Sequence, residues 1–237
     1  MRSTMPHMYN VIKGSYINIL DRYMGASEEA KEYGANFYDN AHNIATEVGY
    51  ELGYEGWEAT EIGSAIIAIF SPRTDWDANV TYAFEFIKDR WVDKQTEINN
   101  RKALAILSGE KPMDVLGKTA YKVKPFYKAI LNPNGDNLVG NLHGFNKPVN
   151  LAVVDRHAGG VYFGKPLREY QRYYLGGWKV TRRISKAYFK VARILNIPVN
   201  IIQAVVWWDF RDEFKHYKHN KQPVSYTHLT LPTSDLV

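Results

Sequence analysis

The chain has 237 residues, a formal net charge of +5, 23% charged and 14% aromatic residues, and no cysteine. The lack of thiols excludes disulfides, a cysteine nucleophile, an iron–sulfur cluster and any zinc site built on thiolates, and the expected compartment is the reducing cytoplasm. No apolar run reaches the roughly 18 residues that span a bilayer, Met1 to Met8 lacks the basic-then-apolar layout of a secretion signal, and the modest basic excess suits an anionic partner without demanding one.

Taken in chain order, Ser27 to Tyr50 places Ala30, Phe37, Tyr38, Ala41, Ile44, Ala45 and Val48 at three- and four-residue spacing, which predicts an amphipathic helix. Gly49, Gly53 and Gly56 punctuate the chain before a second helix from Trp57 to Phe70. Its centre, Ile62 to Phe70, is apolar all round and is expected to be the buried central helix. Ser71-Pro72 stops it, and Thr74 or Asp75 can cap a third helix with Trp76, Val80, Ala83, Phe84 and Ile87 facing inward. A fourth helix near Asn99 to Leu107 ends at Ser108-Gly109. Gly117 to Lys124 is a turn, and Pro125 fits the first turn of a fifth helix carrying Phe126, Ile130 and Leu131. Asn132 to Asn150 is a long connection rich in Asn, Gly and Pro, a length that usually marks function or mobility.

Val153-Val154-Asp155-Arg156-His157-Ala158 then delivers a carboxylate, a basic residue and a histidine at the mouth of another helix, and two helices near Thr181 to Leu195 and Pro198 to Phe214 follow. Strand signals are sparse and no internal repeat is visible, so the expected class is all-α. The expected organisation is a single helical domain over residues 1–222, a length that fits one domain or two small lobes sharing a core; two lobes with a cleft between them are what the resemblance of three of its segments to a known family implies. Val224 to Thr233 has no periodicity and resembles translated adaptor sequence at the end of an open reading frame, so residues 223–237 are set aside from fold reasoning; a disordered terminus is the alternative.

Three segments, in order, carry a family resemblance. Ala65-Ile66-Ile67-Ala68-Ile69-Phe70-Ser71-Pro72-Arg73-Thr74-Asp75 looks like the apolar helix and base-stack-inserting turn of the helix-hairpin-helix DNA glycosylases of the endonuclease III type. Gly117 to Leu131 followed by Val153 to His157 is similar to that family's hairpin, catalytic-lysine helix and Val-Asp-x-His element. Ile202 to Arg211 resembles its closing helix. The resemblance is remote, covers most of Trp57 to Phe214, and lies nearest to phage and metagenomic relatives, which implies a bacterial or phage-infected host cell. The family's Leu-Pro-Gly-Val-Gly hairpin is here only Val115-Leu116-Gly117-Lys118-Thr119, and Asn132 to Asn150 separates lysine from Asp further than in the family.

The resemblance implies an all-α, two-lobed glycosylase-like fold and a DNA N-glycosylase, with or without strand-cleaving activity. It would act as a monomer on DNA, without a cofactor or metal. Loss of a base leaves positive charge on the sugar, which a carboxylate can stabilise while orienting a nucleophile. Asp155 is the matching residue, and helix capping is its bland alternative. His157 matches the family's structural histidine, a support role rather than acid–base work. Among Lys118, Lys122 and Lys124, Lys122 is the expected nucleophile because it precedes Val123 as in the family's Gly-x-Lys-Val pattern; Lys118 has the literal Lys-Thr-Ala match; all three could instead be phosphate contacts or solvated charges. Arg73 aligns with the intercalating residue, and Trp76, one turn on, could stack on a base or pack in the core.

Asn141, His143 and Asn146 could read an extruded base or serve ordinary turn chemistry. Arg156, with Lys118 and Lys124, is a candidate DNA contact. Arg182, Lys186, Lys190 and Arg193 share one helical face, with Lys179 and Arg183 nearby and Tyr170, Tyr173, Tyr174 and Trp178 just before it; phosphate contact and a solvated basic face both fit. His216 and His219 lack carboxylates placed to complete a metal site. Two other functions remain open: a phage-type base-modification enzyme on the same fold, in which Asp155 stabilises base transfer, and a non-catalytic DNA-binding protein in which Asp155 only caps a helix.

Overall fold

The computed structural model describes residues 14–135, 137–167, 175 and 177–213. It is all-α: 67% helix and 2% strand. The helices are α1 (Tyr16–Gly25), α2 (Glu28–Glu51), α3 (Gly56–Phe70), α4 (Trp76–Asp89), α5 (Glu97–Leu107), α6 (Pro112–Val115), α7 (Val123–Leu131), α8 (Arg156–Phe163), α9 (Trp178–Leu195) and α10 (Val199–Glu213). Tyr170, Tyr173, Tyr174, His216, His219 and residues 223–237 lie outside the described residues.

Caps fix the helix starts. Ser27 Oγ accepts from Ala30 N, Asp75 from Ala78 N and Thr96 from Asn99 N, each satisfying one of the donors left free in a first turn. From Ala59 to Phe70, α3 is buried at every residue except the half-buried Glu61, as its all-round apolarity predicts. Each of Ile66, Ile67 and Phe70 contributes about 1.5–3 kcal/mol by leaving water. α2 lies against α3 at backbone range: a Cβ on Gly63 would overlap the Ala45 carbonyl oxygen, and one on Gly49 would overlap that of Ala59. Gly49 is therefore a packing residue inside α2 rather than punctuation after it.

Two large apolar cores result, with two smaller clusters beside them among the described residues. The first gathers α2 to α7 around α3, with Tyr38, Phe70, Phe86, Phe126, Tyr127 and Val153. The second gathers α1, α8, α9 and α10, with Ile19, Val154, Ala158, Tyr188 and Phe210. α10 serves both: Ala204 belongs to the first, Ile202 and Val206 to the second, and Val205 and Trp208 pack on the start of α2. Consecutive residues Val153 and Val154 enter different cores, so the chain crosses from one core to the other immediately before Asp155.

Three features depart from the expected elements. α1 was not foreshadowed by periodicity; it docks on the second core through Ser15 N and Asn18 Nδ2, which both donate to the Tyr162 carbonyl. Asn132 to Asn150 is not plain loop: Leu138–Val139 (β1) pairs antiparallel with Val149–Asn150 (β2), Leu138 opposite Asn150. α6 is a single turn before Gly117, whose φ of 86° is relaxed only for glycine.

Candidate functional site

Asp155 is the N-cap of α8 and is half-buried where the chain passes from the first core to the second. Its Oδ1 accepts from His157 N at 2.9 Å and Ala158 N at 2.8 Å. Oδ2 takes no hydrogen bond among the described residues. The cap and the free oxygen are thus parts of one side chain. The capping reading of Asp155 holds, and a second acceptor is left over.

Lys122 arrives from α7, a helix of the first core. It is the N-cap residue of α7, and its Nζ donates to the Ser71 carbonyl at 3.1 Å, across the end of α3. Burial lowers its pKa from the ordinary lysine value; the Asp155 carboxylate opposes that shift and Arg156 adds to it. An amine with a depressed pKa is more often neutral near pH 7, the state a nucleophile needs. Ser71 opens the turn that carries Arg73, which is exposed and held at φ 64°. For a residue with a Cβ that conformation costs about 1–2 kcal/mol. The turn is over-determined: Ser71 Oγ donates to Ala68 O, Thr74 Oγ1 to Pro72 O, and Gln95 Nε2 to Phe70 O at 3.4 Å and Thr74 Oγ1 at 3.2 Å.

His157 stands beside Asp155 with its pKa lowered, first by burial, then by Arg156, Arg211 and Lys122 against the pull of Asp155. Arg156 Nε donates to His157 Nε2 at 3.0 Å, which occupies the imidazole lone pair and suits a support role rather than proton transfer. The ring meets Trp207 and Phe210 edge-on at 6.0 and 6.3 Å. Arg211 lies over Trp207 and Trp208, 4.9 and 4.1 Å from the ring centroids, with its Nε buried and unbonded among the described residues. Tyr38 and Tyr188 are buried close enough to Asp155 for its charge to push both phenols further up, burial being the larger cause. Tyr38 OH donates to Gln203 Oε1 at 2.8 Å. Gln203, Tyr38 and Arg211 had no sequence signal beyond helix periodicity; their place at the seam follows from α2 and α10 crossing there.

The other expected site residues separate into groups. Trp76 is half-buried and packs edge-on against Phe37 at 5.1 Å and Phe126 at 6.4 Å, which favours the core reading over the stacking one. Lys124 is a correction: instead of offering its charge to DNA, it is fully buried, with Nζ donating to the Asn141 carbonyl at 3.3 Å and the Gly140 carbonyl at 3.5 Å. Two positions along a helix are about 200° apart at 3.6 residues per turn, so Lys122 and Lys124 leave opposite sides of α7. The loop with Asn141, His143 and Asn146 meets Lys124 through the Gly140 and Asn141 carbonyls. Lys118 is exposed beside that loop, its carbonyl accepting from His143 N at 2.7 Å.

Arg182, Lys186 and Lys190 are exposed on α9. Tyr188, which donates to Ala158 O at 3.1 Å, leaves the opposite side of that helix, so the basic stripe is not gathered at the seam. No group of His, Asp or Glu able to hold a metal occurs among the described residues, and no single helix there is long and apolar enough to cross a membrane.

Comparison with known proteins returns no matching curated protein and no matching solved structure. Residues 10–214, a span that includes every side chain of the seam, match the family described as family of unknown function (DUF7178), and the chain belongs to that family.

Proposed function

We propose that the chain is a DNA N-glycosylase that removes a damaged or modified base, with Asp155 as the carboxylate facing the sugar and Lys122 as the amine that gives it strand-cleaving capacity. The observation that carries this reading is the meeting, at one seam, of a capped carboxylate with a spare oxygen and a lysine whose charged form is disfavoured by burial. The departing base leaves a sugar cation that Asp155 would stabilise while taking a proton from the attacking water. In the strand-cleaving branch the neutral Lys122 amine adds to C1′ in place of water and gives a proton to Asp155, while the base leaves with the electron pair of its broken bond to C1′ and takes a proton from solvent; opening of the sugar ring then gives an imine, and loss of a C2′ proton expels the 3′ phosphate. Arg73, at the tip of a strained turn joined to Lys122 through Ser71, is suited to fill the gap left by an everted nucleotide.

Duplexes carrying different modified bases, incubated with the protein and then treated with alkali, test the reading. Breaks at one class of modified position are expected. One observation favours a second reading: Asp155 is already satisfied as a cap and Lys122 is already bonded to Ser71 O. On that account the protein binds DNA without chemistry, and the screen gives salt-sensitive binding with no abasic sites on any substrate.

A further inference from the structure

We propose that the outer face of α9 is a second nucleic-acid surface, separate from the Asp155 seam, that lies along the phosphodiester backbone of a duplex. α9 carries Lys179, Arg182, Arg183, Lys186, Lys190 and Arg193 and no Asp or Glu, so this one helix holds more net charge than the +5 of the whole chain. Arg182, Lys186 and Lys190 recur every four residues and Arg193 three further on. Like charges at that spacing destabilise a helix by about 0.2–0.5 kcal/mol per pair. A face whose only task was to stay wet would mix its signs, as α2 does with Lys31 against Glu28 and α5 with Arg101 against Glu97. Arg182, Arg183, Lys186 and Arg193 are exposed and make no ion pair among the described residues, while Lys190 sits 3.4 Å above the Tyr16 ring. The self-repulsion of the stripe is therefore uncompensated within the described protein, and an external polyanion would relieve it.

The geometry favours a nucleic acid over a lipid surface. Helices that bind membranes bury an apolar face among the lipids, but here that face, with Ile184, Tyr188 and Val191, is already sealed in the second core. Ile194 is the only exposed large apolar residue on α9. From Arg182 to Arg193 the stripe rises about 16 Å at 1.5 Å per residue, which runs beside about five phosphates of one strand. At its N-terminal end the surface is widened by the β1–β2 loop. Phe145 packs edge-on against Trp178 at 5.8 Å, and the bond from His143 N–H to the Lys118 carbonyl ties exposed Lys118 to the same loop, which also carries exposed Lys147. The proposal does not depend on Asp155 being catalytic.

Binding of the full chain to a random-sequence DNA duplex, measured over a range of salt concentrations, tests it. In the Arg182→Gln, Lys186→Gln, Arg193→Gln triple variant the slope of log affinity against log salt is expected to become shallower by about 0.9 for each phosphate that is no longer neutralised. Its thermal midpoint should equal or exceed that of the parent, because repulsion is relieved. Lys186→Gln alone should show about one third of the slope change. The readout is binding to unmodified duplex and not base excision, which keeps this test separate from that of the catalytic reading. An unchanged slope and affinity in the triple variant would overturn the proposal. So would loss of binding to phosphatidylserine-containing vesicles with duplex binding intact, since that would make the stripe a membrane contact.

Discussion

Asp155 does two jobs with two oxygens. Oδ1 holds the first turn of α8, and Oδ2 is left for whatever enters the seam. Lys122, opposite, is an amine whose proton is loosened by burial and partly restored by that carboxylate. Removing the carboxylate therefore lowers the lysine pKa further. On DNA with a pre-formed abasic site, borohydride should trap a covalent adduct through Lys122, and the trapping rate should rise with pH and level off below the ordinary lysine value of 10.5. In Asp155→Asn that rise should begin at lower pH. Lys122→Ala should give no adduct; an adduct that persists in it would move the chemistry to another amine. At this scale the sequence made Asp155 legible, because an Asp that precedes unpaired N–H groups at a helix start has a defined partner set. The lysines were less so. Nothing in Lys122-Val123-Lys124 says which one is drawn away from solvent into a carbonyl cradle; the answer depends on the β1–β2 connection folding over Lys124 and supplying carbonyls to its ammonium.

Among the elements, α2 and α4 could be read from period and from their caps Ser27 and Asp75, and α3, which has no side-chain cap, from its all-round apolarity. α1 could not. It is 10 residues long, buries only Ile19 fully, and is held by bonds to Tyr162, 144 residues from Asn18 in sequence, so its stability is tertiary rather than local. Two-residue strands such as β1 and β2 carry no period to detect. The α2–α3 contact yields a paired prediction. Gly63→Ala should destabilise the protein by about 1–3 kcal/mol, because the new methyl must push α2 and α3 apart at the Ala45 carbonyl. Gly25→Ala, at the end of α1 with open space around it, should be stabilising by about 0.5–1 kcal/mol. Urea midpoints of the two variants check this; equal effects would mean that the helices do not touch at backbone range.

For the whole molecule, the decisive feature is that the seam is where two cores share α10 and where the chain passes from one to the other between Val153 and Val154. The all-α class was legible from helical periodicity and the scarcity of strand signals; which helix the two cores share was not, because α10 is apolar on several faces and periodicity cannot assign them to partners. His157, set in this junction, has a folded pKa below the ordinary 6.5. The unfolded chain therefore takes up its proton first as pH falls through 6.5, and stability should decline there by at most about 1.4 kcal/mol per pH unit until the folded pKa is passed. His157→Gln should flatten that part of the acid limb in denaturant titrations, and an unchanged limb would show that the imidazole is not held neutral by the seam. The central claim, that the seam carries base-excision chemistry, is tested most directly by Asp155→Asn on the duplex that the wild type cleaves. Loss of a positioned acid–base group predicts excision slower by about 10²–10⁴-fold with DNA affinity nearly unchanged; affinity and excision falling together, or excision that survives the substitution, would contradict it.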